Sequence, residues 1–161
     1  MDYDQLSRMV AMGIAASVGD LKSALGDRAL GGYALCVDDS LRTVFPVAAS
    51  AAFLAEQDAE VRFVPVDWDI EEGADDRFDH ANAALGELAD HARDYAVHIR
   101  LAFAALVDAL DRVRKSGVFA PGVTLLVTST DPGELTLRLA DDAVLKLNDA
   151  ETQRAFREIM R

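Results

Sequence analysis

From Tyr3 to Leu25 the apolar residues recur at three- and four-residue steps: Leu6, Met9/Val10, Gly13/Ile14, Ala16/Ser17, Leu21 and Leu25. That is the spacing of an amphipathic helix. Gly26-Asp27 supplies a stop, and Gly31-Gly32 a turn. The period then changes. Tyr33 to Val37 and Leu41 to Val47 are short β-rich runs separated by Asp38-Asp39-Ser40, which predicts an antiparallel hairpin. Ala48 to Gln57 is alanine-rich and fits a short helix opened by Ser50. Val61 to Val66 reads as a further strand, which Pro65 places at a sheet edge or at the strand's own end.

The longest periodic stretch follows. Phe78, Ala81, Leu85, Leu88, Ala92, Tyr95/Ala96, Ile99, Phe103, Leu106, Leu110 and Val113 keep to one stripe at about 100° per residue. A single helix from Asp75 to Lys115 would be about 60 Å long, roughly twice the diameter of a small domain. Two helices meeting near His91 to Ala96 are therefore expected, the second ending at Lys115 before Gly117. Val123 to Thr128, continuous and β-branched, predicts a central buried strand. Residues 134–147 stay open. Asp131-Pro132-Gly133-Glu134 has the chemistry of a helix start with Asp131 at the cap, yet Leu135, Leu137 and Leu139 alternate with polar residues as in a hairpin. Asn148 can cap a last helix running from Asp149 to Arg161.

These elements, with no internal repeat or linker between them, predict one α+β domain over residues 1–161: a small, mainly antiparallel sheet packed against long amphipathic helices. With 161 residues and 51% apolar composition, a substantial core is expected. The N-terminal run lacks the basic start and apolar block of a signal peptide, and no uninterrupted apolar stretch reaches the ~20 residues of a membrane span, so a cytoplasmic location is expected.

Charge narrows the partners. A net charge of −12 opposes binding to nucleic-acid phosphates or to anionic membranes, and favours a basic partner or simple solubility. Between Asp67 and Asp79 the excess is concentrated: Asp67, Asp69, Glu71, Glu72, Asp75, Asp76 and Asp79 face only Arg77, a net of −6. Such a run commonly serves only as a solvated face or as the negative start of a helix. Trp68 adds the alternative of an aromatic anchor within a charged rim, the composition of a protein-binding hot spot, although its ring could equally fill the core. The candidate partner-binding set is therefore Asp67, Trp68, Asp69, Glu71, Glu72, Asp75 and Asp76.

Other chemistries find little footing. Cys36 is the single cysteine, which excludes an intrachain disulfide, and its apolar run predicts a buried, unreactive thiol. His80, His91 and His98 share a helical angle, but lie roughly 16 and 10 Å apart along an ideal helix, too far to chelate one ion. Asp67 to Phe78 opens like a calcium loop, but carries Glu72 where glycine is required and Phe78 where the bidentate glutamate is required. No nucleophile elbow, phosphate loop or zinc-binding helix occurs. Neither catalytic residues nor a cofactor nor a metal is expected.

Several short runs, taken in order, resemble the bacterial domain of unknown function 4303: Gly32-Tyr33-Ala34-Leu35-Cys36-Val37-Asp38-Asp39, Thr43-Val44-Phe45-Pro46-Val47-Ala48, Val66-Asp67-Trp68, Lys115-Ser116-Gly117-Val118-Phe119, Ser129-Thr130-Asp131-Pro132 and Leu147-Asn148. The resemblance spans about Gly32 to Asn148 and implies an α+β domain without catalytic residues to carry over. It departs after the second strand, where the family usually has an acidic residue and this chain has Ala49-Ser50-Ala51-Ala52. The family's likeness in size and character to small bacterial immunity proteins makes the leading expectation a non-enzymatic binding protein, monomeric or weakly dimeric, that neutralises a basic toxin such as a nuclease. Two other classes stand beside it: an enzyme or small-molecule binder using dispersed carboxylates, and a housekeeping interaction or scaffold domain whose acidity only keeps it soluble.

Overall fold

Asp2 starts the first helix. Its carboxylate accepts the Gln5 N–H (2.7 Å) while the Gln5 side chain accepts the Asp2 N–H (3.0 Å), a reciprocal cap worth about 1 kcal/mol. The helix it opens, α1, covers Tyr3–Leu25 and stops at Gly26, whose φ of +59° suits glycine. The coordinates are a computed structural model, which describes residues 1–70 and 75–160.

Strands β1 (Leu30–Val37) and β2 (Val44–Ser50) form the expected antiparallel hairpin, with β2 beginning three residues later than the sequence pattern suggests. The delay is the work of Asp38, whose carboxylate accepts the N–H groups of Arg42 and Thr43 (2.8 Å each) and holds those residues in the turn. Ser50 caps α2 (Ala51–Glu56) as expected, its Oγ accepting the Phe53 N–H (3.2 Å).

Residues 61–66, expected as a strand, instead form two 3-10 turns, Ala59–Phe63 and Pro65–Asp67. Pro65 opens the second of them, where its fixed φ is an advantage and its missing N–H costs nothing. The expected break in the long stripe is present, separating α3 (Asp79–Asp90) from α4 (Tyr95–Lys115). Asp94 makes it, accepting the N–H groups of Ala96 (2.9 Å) and Val97 (3.3 Å) as the cap of α4.

Strand β3 (Thr124–Ser129) pairs parallel to β1, so the sheet order is β2-β1-β3 and the sheet is mixed rather than mainly antiparallel. A chain that leaves β2 and crosses the molecule through two long helices returns in the direction of β1, as crossover connections do. The α+β class holds. β3 is nonetheless an edge strand, not the central one, and α5 (Glu134–Leu147) covers it, which settles residues 134–147 as helix.

Two capping assignments change with it. Gly133, not Asp131, is the cap of α5, and Asp149, not Asn148, caps α6 (Ala150–Ile159) by accepting the Thr152 N–H (2.8 Å). Asn148 instead faces the β3 edge. Its Oδ1 accepts the Leu125 N–H (2.8 Å) and its Nδ2 donates to the carbonyls of Leu125 (2.7 Å) and Val144 (3.0 Å), so a side-chain amide stands in for a neighbouring strand.

Alternation along β1 divides the interior. Tyr33, Leu35 and Val37 face the larger cluster with Leu6, Val10, Ile14, Phe103 and Leu106 from α1 and α4. Ala34 and Cys36 face a smaller cluster with Val47, Phe63, Trp68 and Leu126, to which Phe156 of α6 adds an edge-on contact with Phe63 (5.2 Å between centroids). Among the described residues no helix is long and apolar enough to cross a membrane.

Candidate functional site

The acidic segment predicted as a binding surface is wound around the β2 edge of the sheet. Trp68 points into the smaller cluster on one face, while Phe78, ten residues on, is fully buried in the larger cluster on the other. Between them Ile70 and Ala48 exchange both backbone hydrogen bonds (3.1 Å each). Asp69 adds its carboxylate, accepting the Ser50 N–H (3.1 Å) and Oγ–H (3.0 Å), and Asn82 accepts the Val44 N–H (2.7 Å). With Pro46 offering no N–H, the outer donors of β2 at Val44, Ala48 and Ser50 are all taken. This edge is closed to a further strand.

Trp68 is therefore not a surface anchor. It is 2% exposed, its Nε1–H donates to the Val61 carbonyl (2.9 Å), and its ring lies so close over Gly32 that a Cβ there would stand 2.7 Å from Cη2. The rest of the predicted set is dispersed by the same winding. Asp67 is exposed beside the smaller cluster, Asp69 is exposed but tied to Ser50, and Asp76 is exposed beside Arg77, which pairs with Asp20 of α1 (3.0 Å). Glu71 and Glu72 lie outside the described residues, as does the side chain of Asp75.

The structure brings together a different set. At the carboxyl ends of the parallel strands β1 and β3 lies a cleft of about 510 Å³, between Phe45 and Val47 of β2, the run Phe63-Val64-Pro65-Val66, and residues 128–130 with Pro132. Cys36 lines it from β1. Val66 stands 79% exposed on its wall, an unusual setting for an aliphatic side chain that follows a proline-opened turn. The opposite wall is already satisfied in part: Ser129 Oγ accepts the Asp131 N–H (3.3 Å) and Thr130 Oγ1 donates to the Val37 carbonyl (3.3 Å).

Two exposed carboxylates adjoin the lining, Asp67 directly after Val66 and Asp131 between Thr130 and Pro132. The chain from Glu56 to Asp69 holds Glu56, Asp58, Glu60, Asp67 and Asp69, all exposed, against the single Arg62. The Arg62 Nε donates to Thr124 Oγ1 (2.5 Å) and its Nη2 to Thr152 Oγ1 (2.9 Å), joining the first 3-10 turn to β3 and α6. The cleft lies against the run that immediately precedes the acidic segment singled out by charge. The useful signal was present in Val64-Pro65-Val66, an apolar run with carboxylates on both sides.

A family model described as Domain of unknown function (DUF4303) matches residues 11–149. The chain belongs to the DUF4303 family. Every residue lining the cleft falls within the DUF4303 match, and the runs by which the sequence resembles the family supply Cys36, Phe45, Val47, Val66, Ser129, Thr130 and Pro132 of that lining. No curated protein and no solved structure matches the chain.

Among the described residues, no histidine or carboxylate side chain lines the cleft. The Cys36 thiol is pushed up to about 12 by burial, leaving almost no thiolate near neutrality. His98 sits on the other face of the sheet with both ring nitrogens engaged, Nδ1 with Tyr3 Oη (2.9 Å) and Nε2 with the Leu41 carbonyl (3.3 Å). His80 and His91 are exposed, and among the described residues no group of histidine, cysteine and carboxylate side chains could hold a metal ion.

The thiol gives a direct test of this environment. At pH 8 a small maleimide should label Cys36 of the folded protein at least ~100-fold more slowly than the urea-unfolded chain, because burial holds the thiol protonated. The shift also has a sign in stability. A folded-state value above the unfolded one contributes stability that is intact below about pH 8.5 and is lost as pH rises through the folded value. Native labelling as fast as that of the unfolded chain would place the thiol in contact with solvent.

Proposed function

We propose that this protein is a non-enzymatic binding domain for a basic protein, acting in the cytoplasm as a monomer or weak dimer, and that its concrete role is to neutralise a basic toxin such as a nuclease. The observation that carries the reading is the pairing of an open apolar cleft with the exposed carboxylates of Asp67 and Asp131, which adjoin its lining residues Val66, Thr130 and Pro132 in the chain. Carboxylates at a rim accelerate encounter with a positive partner, and apolar contacts inside it slow departure. A protected thiol and a histidine engaged on the opposite face weigh against a nucleophilic reaction at the cleft. A small-molecule binder is the second reading, favoured by the position of the cleft at the carboxyl ends of parallel strands, where α/β sheets commonly hold ligands.

The test is co-expression with the product of the adjacent gene, followed by association kinetics at two salt concentrations. Reversing Asp67 and Asp131 to lysine should slow association about tenfold at low salt and flatten its salt dependence, with little change in dissociation or folding. Asp69 is left intact in this variant because it holds Ser50. Association that is unchanged at both salt concentrations would remove the acidic surface from recognition. A small molecule retained stoichiometrically through purification, seen by native mass spectrometry, would give the cleft to that ligand instead.

A further inference from the structure

We propose that the cleft receives one large apolar side chain of the basic partner, presented on a segment that carries lysine or arginine on both sides of it. This rests on the reading of the protein as a binder of a basic partner, and names where and how the partner is anchored once Trp68 is excluded.

The lining dictates the first half. Phe45, Val47 and Phe63 form an apolar floor, and Val64-Pro65-Val66 an apolar wall. Of the facing hydroxyls, Thr130 Oγ1 donates to the Val37 carbonyl and Ser129 Oγ accepts the Asp131 N–H, which leaves the Thr128 hydroxyl and the Ser129 O–H as the few side-chain partners the cleft offers. A polar ligand group entering here would lose water and gain few partners, whereas an aromatic or branched aliphatic group loses nothing. About 510 Å³ accommodates such a side chain together with part of its own backbone.

The rim dictates the second half. Asp67 follows Val66 directly and Asp131 lies between Thr130 and Pro132; both are exposed. Among the described residues neither of the two is in an ion pair, although seven other pairs are formed. An apolar centre within uncompensated carboxylates is complementary to an apolar residue between cations, and repels the same residue between acids. The outer donors of β2 are taken by Ile70, Asp69 and Asn82, and on β3 Asn148 holds Leu125 while Val127 is buried. Side-chain insertion, not strand addition, is therefore the mode of docking.

The experiment is a methyl and amide NMR titration of the whole protein with blocked pentapeptides. Lys-Arg-Phe-Lys-Arg should shift the methyl signals of Val47, Val64 and Val66 and bind at least tenfold more tightly than Lys-Arg-Ala-Lys-Arg. Val66→Ser, at a side chain that is mostly in solvent, should leave the fold intact and weaken the phenylalanine peptide at least threefold. Joint replacement Asp67→Asn and Asp131→Asn should weaken both peptides and reduce their salt dependence.

Equal affinity for the two peptides, shifts confined to residues outside the cleft, or no binding of either would overturn the proposal. Failure here is separable from failure of the broader reading. A co-purified basic protein whose affinity follows the rim carboxylates but ignores Val66→Ser sinks the cleft alone, and one that ignores both sinks the basic-partner reading as well.

Discussion

Trp68→Ala should lower the unfolding free energy by about 3–5 kcal/mol, a large share of the stability of an ordinary domain. Truncation empties the space over Gly32 and withdraws apolar contact from Ala34, Val47 and Phe63. It also leaves the Val61 carbonyl without the indole N–H, and with it the first 3-10 turn without its tie to the segment that closes the β2 edge. The measurement is urea unfolding followed by circular dichroism at 222 nm, since the variant lacks the protein's single tryptophan. A falling midpoint with an unchanged slope is the expected result. In the parent protein, native emission should be blue-shifted relative to the unfolded chain. A loss below about 1 kcal/mol would mean that the ring spends its time outside. Because the cleft wall starts from Phe63 and ends just before Trp68, partner binding by this variant is not interpretable until its folding has been measured.

Asn148→Ala should cost about 3 kcal/mol, more than its small volume change warrants. One amide satisfies the Leu125 N–H, the Leu125 carbonyl and the Val144 carbonyl, all in a site where Asn148 is 7% exposed. Alanine leaves a strand-edge donor and two acceptors without partners, at about 1–3 kcal/mol for a buried group that loses its bond. Asn148→Asp provides the contrast. Its oxygen can still accept from Leu125 N–H, but a second carboxylate oxygen would face two carbonyls, so this variant should be at least as unstable at neutral pH. The sign of its pH dependence follows from that repulsion. The folded state raises the affinity of the introduced carboxylate for a proton, so lowering pH should recover stability relative to the parent. Thermal or urea unfolding of both variants between pH 7 and 4.5 checks this. An Asn148→Ala protein as stable as the parent would show that water or a shifted side chain replaces the amide.

Local chemistry made much of this architecture legible in the sequence alone. The three- and four-residue rhythm from Tyr3, stopped at Gly26, gives α1 its bounds because both signals lie within the helix itself. The cap at Ser50, the antiparallel hairpin and the break before Tyr95 are local in the same sense, as is the apolar run that buries Cys36. The acidity around residues 56–79 is a matter of composition and needs no fold to be read.

What tertiary structure decided was everything that depends on a partner distant in the chain. Parallel pairing of β1 with β3 joins residues some ninety positions apart, for which no local pattern speaks. Residues 134–147 satisfy both helical and alternating periodicity, and the cover that β3 requires chose the helix. Asn148 has the chemistry of a cap, yet the bare edge at Leu125 claims it. Trp68 among carboxylates is compatible with either recognition or packing, and Gly32, thirty-six residues earlier, leaves the space that draws it inside. The same winding that buries Trp68 separates Asp67 from Asp76, and Arg62 is tied to Thr124 and Thr152. Sequence thus determined how much negative charge this protein carries, and tertiary structure decided which carboxylates border a cleft, because only folding settles which way each side chain of a wrapped segment can face.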